Sequence, residues 1–269
     1  MARDTSAARD TSAERSYGTV AEYAALVASH GASYYWKMDE ASGNFIPTIG
    51  SINLNATSVA YRQPGKFGTD AAFFNGTTAH AETASAVVLS GGQRCVIEAI
   101  ANISAHKGSN TAIWEFGPTL GVGWIVLFDD GGLLGSTPLS FIGGQGNVGL
   151  NYHEALRLPV GKTCHLAHVV DISTGAAQEH KLYVDGTLRA IAGSQANSNN
   201  TGNLIDNVLN VGARNAGASL FTRLTMQHLA VYTGANSTLA QINERAAYVA
   251  RFLAPSSGRD TSTARTATP

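Results

Sequence analysis

A six-residue repeat with regularly spaced charges occurs near both ends of this 269-residue chain. Residues 3–16 contain RDTSAA, RDTSAE and RS, and residues 259–269 contain RDTSTA and RTATP. Arginine offers a planar fork of N–H donors to carboxylates or carbonyls, aspartate accepts N–H donors, and threonine hydroxyls do either. We therefore predict partner-binding residues in the repeats, namely Arg3, Asp4, Thr5, Arg9, Asp10, Thr11, Arg15, Arg259, Asp260, Thr261 and Arg265.

The spacing of the repeat favours an extended backbone. Residues six apart share one face of a β-strand at roughly 20 Å, or of a polyproline II helix at about 19 Å, whereas an α-helix scatters them around its axis. We predict extended anchoring arms at residues 1–16 and 255–269, suited to a polar groove or a sheet edge. Their charges balance, so binding to nucleic acid is not expected. The alternative is a solvated, disordered linker whose repetition is accidental.

The carboxylates between the arms do not form a hydrolytic pattern. A glycoside hydrolase needs two carboxyl groups about 5–9.5 Å apart. Glu98 stands alone in CVIEAIANI, and the adjacent Asp129 and Asp130 precede two glycines, which predicts a turn. We therefore predict no catalytic residue and no enzymatic activity.

Histidines and cysteines also favour structural roles. His165 and His168 are three apart in a predicted strand, so they point to opposite faces and do not form a zinc pair. We expect one of them to be packed and the other exposed. Cys95 and Cys164 lie in apolar runs and are expected to be buried free thiols, with a disulfide between them as the alternative.

The aromatic residues offer one candidate for sugar stacking. Trp36 and Trp114 lie in strand patterns and are expected in the core. Trp124 comes directly after Gly121 and Gly123 in the sequence GVGW and is predicted to be an exposed glycan-binding residue.

Composition indicates one large all-β domain with tails. Charged residues make up 14% of the chain, the net charge is −1 and there are 29 glycines, a profile that excludes a typical nucleic-acid binder. No apolar run approaches the ~20 residues of a membrane span, and the first residues lack the apolar core of a signal peptide. We expect no membrane insertion. We expect the protein to be made in a host cytoplasm.

Two helices and about ten strands must position these residues. Thr19–His30 has a helical period, a capping box formed by Thr19 and Glu22, and a stop at Gly31. Thr238–Leu253 predicts a second helix, capped by Ser237 or Thr238. Strands are predicted at 33–40, 71–76, 95–103, 110–117, 123–130, 139–143, 164–172, 180–188, 207–215 and 224–234, with a hairpin turn at Asp185–Gly186. The fold class is an all-β, two-sheet antiparallel jelly-roll sandwich over residues 17–254, with a short N-terminal helix, a C-terminal helix and extended terminal arms.

Five segments in order resemble the laminin-G-like branch of the concanavalin A-like lectin/glucanase superfamily. They are YAALVASHGASYYWKMDEASG, FGTDAAFFNGTTAHAET, CHLAHVVDISTGAAQEHKLYVDGTL, LNVGARN and LTMQHLAVYTGANSTLAQINERAAY, and they span roughly residues 20–253. The resemblance implies a jelly-roll sandwich of the kind that serves in glycan-binding, protein-binding and structural modules, many of them in phage virion proteins.

The chain departs from this family where an ion or a ligand would bind. The family has an Asp-rich segment after its first strand, but residues 44–58 of this chain contain no carboxylate. Asp39 and Glu40 are expected at a strand end and in a turn. We therefore predict no metal and no cofactor, with Ca²⁺ as the alternative. Cys164 replaces the usual Trp, and Gln227–His228 replaces the usual acidic pair.

These features predict a non-enzymatic virion structural protein, a decoration, fibre or collar element of a tailed phage. Its arms would bind other virion proteins or copies of itself, giving a homo-oligomer located in the virion. The alternatives are a carbohydrate-binding adhesin for host surface glycans and a glycoside hydrolase.

Overall fold

The fold is seen in a computed structural model that describes residues 19–107, 110–117, 121–130, 139–145, 150–196, 198–215 and 217–254. Both predicted arms lie outside the described residues. Within them, helices α1 (Val20–Ser29) and α2 (Leu239–Leu253) flank seventeen strands.

The seventeen strands are numbered in the order in which they occur along the chain. The first nine are β1 (Tyr34–Trp36), β2 (Pro47–Ile49), β3 (Leu54–Thr57), β4 (Ala60–Pro64), β5 (Asp70–Asn75), β6 (His80–Thr83), β7 (Arg94–Ala105), β8 (Thr111–Phe116) and β9 (Ile125–Asp130). The others are β10 (Leu139–Gln145), β11 (Leu150–Leu156), β12 (Thr163–Asp171), β13 (His180–Val184), β14 (Thr187–Leu188), β15 (Ile191–Ala196), β16 (Leu209–Val211) and β17 (Arg223–Thr233).

The strands build two antiparallel sheets, which confirms the predicted sandwich. Sheet A has the order β14-β13-β12-β7-β17-β1-β2, with β5 also paired to β17 and β4 to β5. Sheet B has the order β15-β11-β10-β9-β8-β16-β6-β3. Strands adjacent in space are often distant in sequence, so the sheets are held together by long-range pairings.

The main core lies between the two sheets. Alternation along β7, β12 and β17 turns residues such as Ile97, Leu166 and Leu229 inward, where they are buried with Trp36 and Trp114. The burial of both tryptophans confirms their predicted core positions.

A second core lies on the other face of sheet A, which we call its outward face. Side chains such as Ile100 and Tyr232 pack there against Tyr23 and Val27 of α1 and Ile242 of α2. This packing explains the apolar face of each helix.

Helix α1 begins at the predicted capping box, and α2 begins at Thr238, one of its two predicted caps. Thr19 Oγ1 accepts from the Glu22 N–H at 3.1 Å, and Glu22 Oε2 accepts from the Thr19 N–H at 2.6 Å. Thr238 caps α2 in the same way with Gln241. These paired contacts satisfy N–H groups that a helix N-terminus otherwise leaves free.

Several elements differ from the sequence predictions. Strand β1 ends at Trp36 and not at residue 40, because Met38 has a φ of +62°, which breaks the extended ladder. The predicted turn at Asp129–Asp130 is wrong, since β9 runs to Asp130 and buried Asp129 lies 2.8 Å from His106 Nδ1. Strands β2, β3, β4, β6, β11 and β15 lie where none is predicted. Neither described helix is long and apolar enough to span a membrane.

Candidate ligand-binding cleft

A cleft crosses the part of the outward face of sheet A that the helices leave uncovered. It consists of three recesses with volumes of about 150, 510 and 340 Å³. The first and second share Lys66, Asn102 and Thr163, and the second and third share Lys162 and Asp185. Because neighbouring recesses share side chains, we call the three together the cleft, which runs from the β4–β5 loop to the β13–β14 turn. Its third recess lies at the edge between the sheets, since Leu156 of β11 in sheet B also lines it.

The floor of the cleft is a row of polar side chains on three neighbouring strands. Asn102 of β7 lies directly opposite Thr163 of β12 on one side and Thr225 of β17 on the other. All three are half-buried, and Asn102 Nδ2 donates to Thr163 Oγ1 at 3.2 Å. Neighbouring strands are about 4.8 Å apart, so the row presents hydroxyl, amide and hydroxyl groups at that interval.

The β4–β5 loop forms one end of the cleft and is held in place by Gln227. The Nε2 group of this buried side chain donates to the carbonyls of Thr69 and Asp70, both at 3.0 Å. Gly65 lies against the same amide, where a Cβ would clash with the Thr69 carbonyl oxygen. The loop is therefore pre-formed, and it carries the exposed Lys66 at the cleft.

An ion pair on the hairpin turn forms the other end. Lys162 Nζ donates to Asp185 Oδ2 at 2.7 Å, while Asp185 Oδ1 accepts from the His165 backbone N–H at 2.9 Å. The hydrogen bond to Asp185 raises the pKa of Lys162, which stays charged. Asp185 and Gly186 have φ of +52° and +78°, so the predicted hairpin turn is confirmed.

The end of α2 forms the wall beside the floor. Phe252, Leu253 and Ala254 line the second recess. The Phe252 ring packs on Phe67 with centroids 4.5 Å apart. The cleft thus combines an aromatic ring, amides, hydroxyls and charges of both signs. Among the described residues that line it, Asp185 is the only carboxylate, so this lining lacks the pair needed for glycoside hydrolysis.

Trp124, the residue predicted to bind glycans, lies elsewhere and is buried. It is 2% exposed and packs with Val126 and Phe128 on the face of sheet B away from the core. Its Nε1 donates to Glu115 Oε1 at 2.7 Å, and the Arg214 guanidinium lies 5.5 Å from its ring centroid. The predicted exposed platform is therefore wrong, because the Trp124 ring packs onto sheet B and leaves only the preceding turn exposed at Val122. The arm residues lie outside the described part of the chain.

Glu98 does not stand alone but forms a buried ion pair beneath α2. Arg245 Nε donates to Glu98 Oε2 at 2.7 Å and Arg245 Nη2 donates to Oε1 at 2.5 Å, while His165 Nε2 lies 3.2 Å from Oε2. Burial opposes ionisation of Glu98, but the hydrogen bond with His165 and the charge of Arg245 lower its pKa to about 2. The network ties the closing helix to the sheet.

The two histidines of β12 point to opposite faces as predicted, but both are fully buried, so the expectation of one exposed histidine is wrong. His165 faces Glu98, whereas His168 enters the main core. Trp114 Nε1 donates to His168 Nδ1 at 3.4 Å, and His168 Nε2 lies 3.3 Å from His180 Nδ1. Burial lowers the pKa of His168 to about 3. In the described part of the chain, no group of three His, Cys, Asp or Glu residues could hold a metal ion.

Both cysteines are free and buried, as predicted. Burial raises the pKa of Cys95 to about 12 and that of Cys164 to about 11. Neither thiol is poised for nucleophilic chemistry at neutral pH.

The fold is similar to parts of a sialidase and of botulinum neurotoxin binding domains in solved structures, at low sequence identity. Trypanosoma rangeli sialidase in complex with 2,3-difluorosialic acid aligns with a TM-score of 0.53 and 16% identity over 82% of this chain and 33% of the sialidase. The ligand binding domain of Botulinum neurotoxin serotype D, in complex with N-acetylneuraminic acid, gives 0.52 and 12% over 82% and 52%. The serotype G binding domain gives 0.52 and 10% over 82% and 51%.

This chain therefore spans about a third of the sialidase and half of the toxin domains. No protein-family model and no curated protein sequence matches it. The structural likeness supports the β-sandwich fold.

Proposed function

We propose that this chain is a non-enzymatic display protein whose two arms fasten the sandwich to a larger assembly, the virion of a tailed phage. The observation that carries this proposal is that both arms join the domain at one corner. The arms supply the repeated Arg, Asp and Thr groups. Their attachment at one corner of the domain lets both arms reach the same surface of the assembly.

The corner is formed because α1 and α2 pack antiparallel. Tyr248 OH, near the end of α2, donates to the Thr19 carbonyl at 2.8 Å. At the other end of α1, His30 Nε2 lies 3.3 Å from Oε2 of Glu244, which precedes Tyr248 in the middle of α2. Residue 19, where the N-terminal arm joins, is therefore close to the end of α2, where the C-terminal arm joins.

Gly68 marks the same corner from the β4–β5 loop. A Cβ on Gly68 would lie 2.6 Å from Phe252 Cζ and 3.0 Å from Val20 Cγ2, so these two side chains flank it. The first and last helical turns thus meet over a single loop.

Joining at one corner favours simultaneous binding of both arms. Once one arm is bound, the other is held near the same surface, and the effective concentration multiplies two weak contacts. The rest of the sandwich then projects from the assembly, which suits a decoration, fibre or collar element.

The test is incorporation into particles. Particles assembled with the full chain, with a chain lacking residues 2–16, and with a chain whose residues 2–16 are shuffled would be purified on a density gradient and probed for the protein. We expect both altered chains to be lost from the particles while circular dichroism shows an intact fold. Undiminished incorporation of the shuffled chain would contradict the proposal.

The second candidate function is carbohydrate binding by the cleft. The polar row on its floor and the Phe252 ring in its wall are the kinds of groups that hydrogen-bond to and stack on sugars. Two of the structurally similar proteins are complexes with sialic acid or a derivative of it. A glycan array would test this, with Asn102→Ala expected to remove binding and Thr57→Ala, on an exposed position of β3, expected to retain it. An array with no bound glycan for the unaltered chain would eliminate this candidate.

A further inference from the structure

We propose that the third recess of the cleft binds the end of a partner peptide, taking its C-terminal carboxylate and its apolar last side chain. This site is separate from the arms and from the polar floor of the cleft, so it goes beyond the functions proposed above. Three features of the recess support it: an unpaired guanidinium, an apolar wall beside that group, and free backbone groups at the adjoining edge of sheet A.

Arg189 supplies an unpaired positive charge to the recess. Its side chain lines the recess, and its Nε atom is buried with no hydrogen-bond partner among the described residues. Its backbone N–H donates to the Leu182 carbonyl at 2.8 Å, which fixes the residue on the β13–β14 hairpin. A buried N–H donor without a partner is unfavourable, so an acceptor that enters the recess gains this hydrogen bond.

A carboxylate is the group that fits this charge. Lys162 and Asp185 neutralise each other at 2.7 Å, and Asp185 Oδ1 accepts from the His165 backbone N–H. The described side chains that line the recess therefore carry one net positive charge, that of Arg189. A guanidinium is planar and presents paired N–H donors, which match the two oxygens of a carboxylate.

Apolar side chains form the wall beside the guanidinium. Leu156 of β11 and Leu188 of β14 are 56% and 50% exposed, and both line the recess with Val184 and Ala190. Aliphatic side chains that are half in water are stabilised when a ligand covers them. The recess has a volume of about 340 Å³, which leaves room for one aliphatic side chain next to the carboxylate.

The edge of β14 supplies backbone groups that a peptide can bind. β14 is the last strand at one end of sheet A and pairs with β13. Arg189 bonds to β13 through its N–H, so the N–H and C=O of the preceding residue, Leu188, point away from β13. An extended peptide beside β14 can bond to these two groups, as strands added to a sheet edge do. A fatty carboxylate has no matching groups, and the free edge therefore favours a peptide.

The three features are adjacent on β14 and together select a chain end. A peptide bound along Leu188 would end beside Arg189, with its carboxylate on the guanidinium and its last side chain against Leu156. An internal peptide residue has no carboxylate on its backbone and would leave the buried Nε of Arg189 without an acceptor. We therefore expect the site to bind C-termini and not internal segments.

Fluorescence anisotropy with labelled peptides provides the test. The probes are fluorescein-labelled peptides GSTSX, in which X is Ala, Val, Leu or Phe, each made with a free C-terminal carboxylate and with a C-terminal amide. We expect the acids that end in Val or Leu to bind. Their amides should bind about tenfold more weakly or worse, because they lose the charge-assisted hydrogen bonds.

Variants then assign the effect to Arg189. Arg189→Gln should weaken binding of the acids by the same factor and leave the amides unchanged, because its contribution requires the carboxylate. Arg62→Gln is the matched control, since Arg62 is an exposed arginine on β4 at the other side of sheet A, and it should change neither affinity. The comparison of acid with amide on the unaltered chain needs no variant to fold.

The other outcomes would each overturn the assignment. Equal affinities for acid and amide, or no binding of any acid, would show that the recess does not hold a peptide carboxylate. Binding of decanoate without binding of any peptide would assign the recess to a free fatty carboxylate. An Arg189→Gln chain that is folded by circular dichroism and keeps its full affinity for the acids would place the peptide elsewhere. Particle incorporation and glycan binding are separate readouts, so failure of peptide binding leaves the proposed functions intact.

Discussion

Acidification from pH 7 to pH 5 should strongly destabilise the domain through its buried histidines. His168 is enclosed by Trp114 and His180 in the main core, and His228 Nδ1 lies 2.5 Å from Tyr35 OH beneath α1. Burial lowers the pKa of both His168 and His228 from 6.5 to about 3. The folded domain therefore keeps both rings neutral at pH 5, whereas the unfolded chain protonates them.

The sign and size of the effect follow from this difference. Below pH 6.5 the unfolded state binds protons that the folded state does not, so the free energy of unfolding falls until the folded pKa near 3 is reached. Each of the two histidines lowers the free energy of unfolding by about 1.4 kcal/mol per pH unit. Over the 1.5 units from pH 6.5 to pH 5 this is about 2 kcal/mol per histidine, or about 4 kcal/mol for the two. Burial also lowers the pKa of His180 well below its usual value, which acts in the same direction.

Urea unfolding followed by tryptophan fluorescence at pH 7, 6 and 5 measures this loss. His168→Asn is the diagnostic variant, because it retains an acceptor for Trp114 but cannot take up a proton. It should reduce the pH dependence by about 2 kcal/mol over the range, since position 168 no longer takes up a proton on unfolding. A free energy of unfolding that changes by less than about 1 kcal/mol between pH 7 and pH 5 would refute the reasoning, because two buried neutral histidines require a loss of about 4 kcal/mol.

Three further predictions concern the buried polar and apolar groups. Glu98→Gln should lower the free energy of unfolding in urea by about 3–5 kcal/mol, because it leaves the buried guanidinium of Arg245 without a counter-charge. Lys162→Ala removes an exposed ion pair and should lower it by less than about 1 kcal/mol. Equal losses for the two variants would contradict the assigned network. Trp124→Ala should lower the free energy of unfolding by about 3–5 kcal/mol, because its ring is buried, and an unchanged melting temperature would show that it is not. Cys95 and Cys164 should both resist Ellman's reagent in the folded protein and react in guanidinium chloride, and rapid labelling of the folded form would contradict their burial.

The sequence predicts much of the fold because local signals agree with the final packing. The Thr19–Glu22 capping box, the Asp185–Gly186 turn and the long strands β7, β12 and β17 have sequence patterns that agree with their environments in the fold. Strand β4 escapes prediction because it lies at a sheet edge with no buried face, so its residues show no apolar alternation. Strand β11 escapes for the opposite reason, because Asn151, His153 and Glu154 are polar but buried.

The cleft and the buried ion pair could not be predicted in this way because their partners are remote in sequence. Asn102 meets Thr163 and Thr225 only after three strands pair. Glu98 meets Arg245 across 147 positions of the chain. The polar residues Asn102, Thr163 and Thr225 on the outward face of these strands are the signal in the sequence. They indicate a polar site only when the order of the strands is known.

The antiparallel helix pair also determines how this domain can be combined with other proteins. Because the chain enters near Thr19 and leaves near Ala254 at one corner, the folded part can be spliced into a surface loop of an unrelated protein without stretching that loop apart. For the same reason, large fusion partners added before residue 19 and after residue 254 would crowd each other. A reporter for this domain is therefore better placed in a turn on the far side of the sandwich.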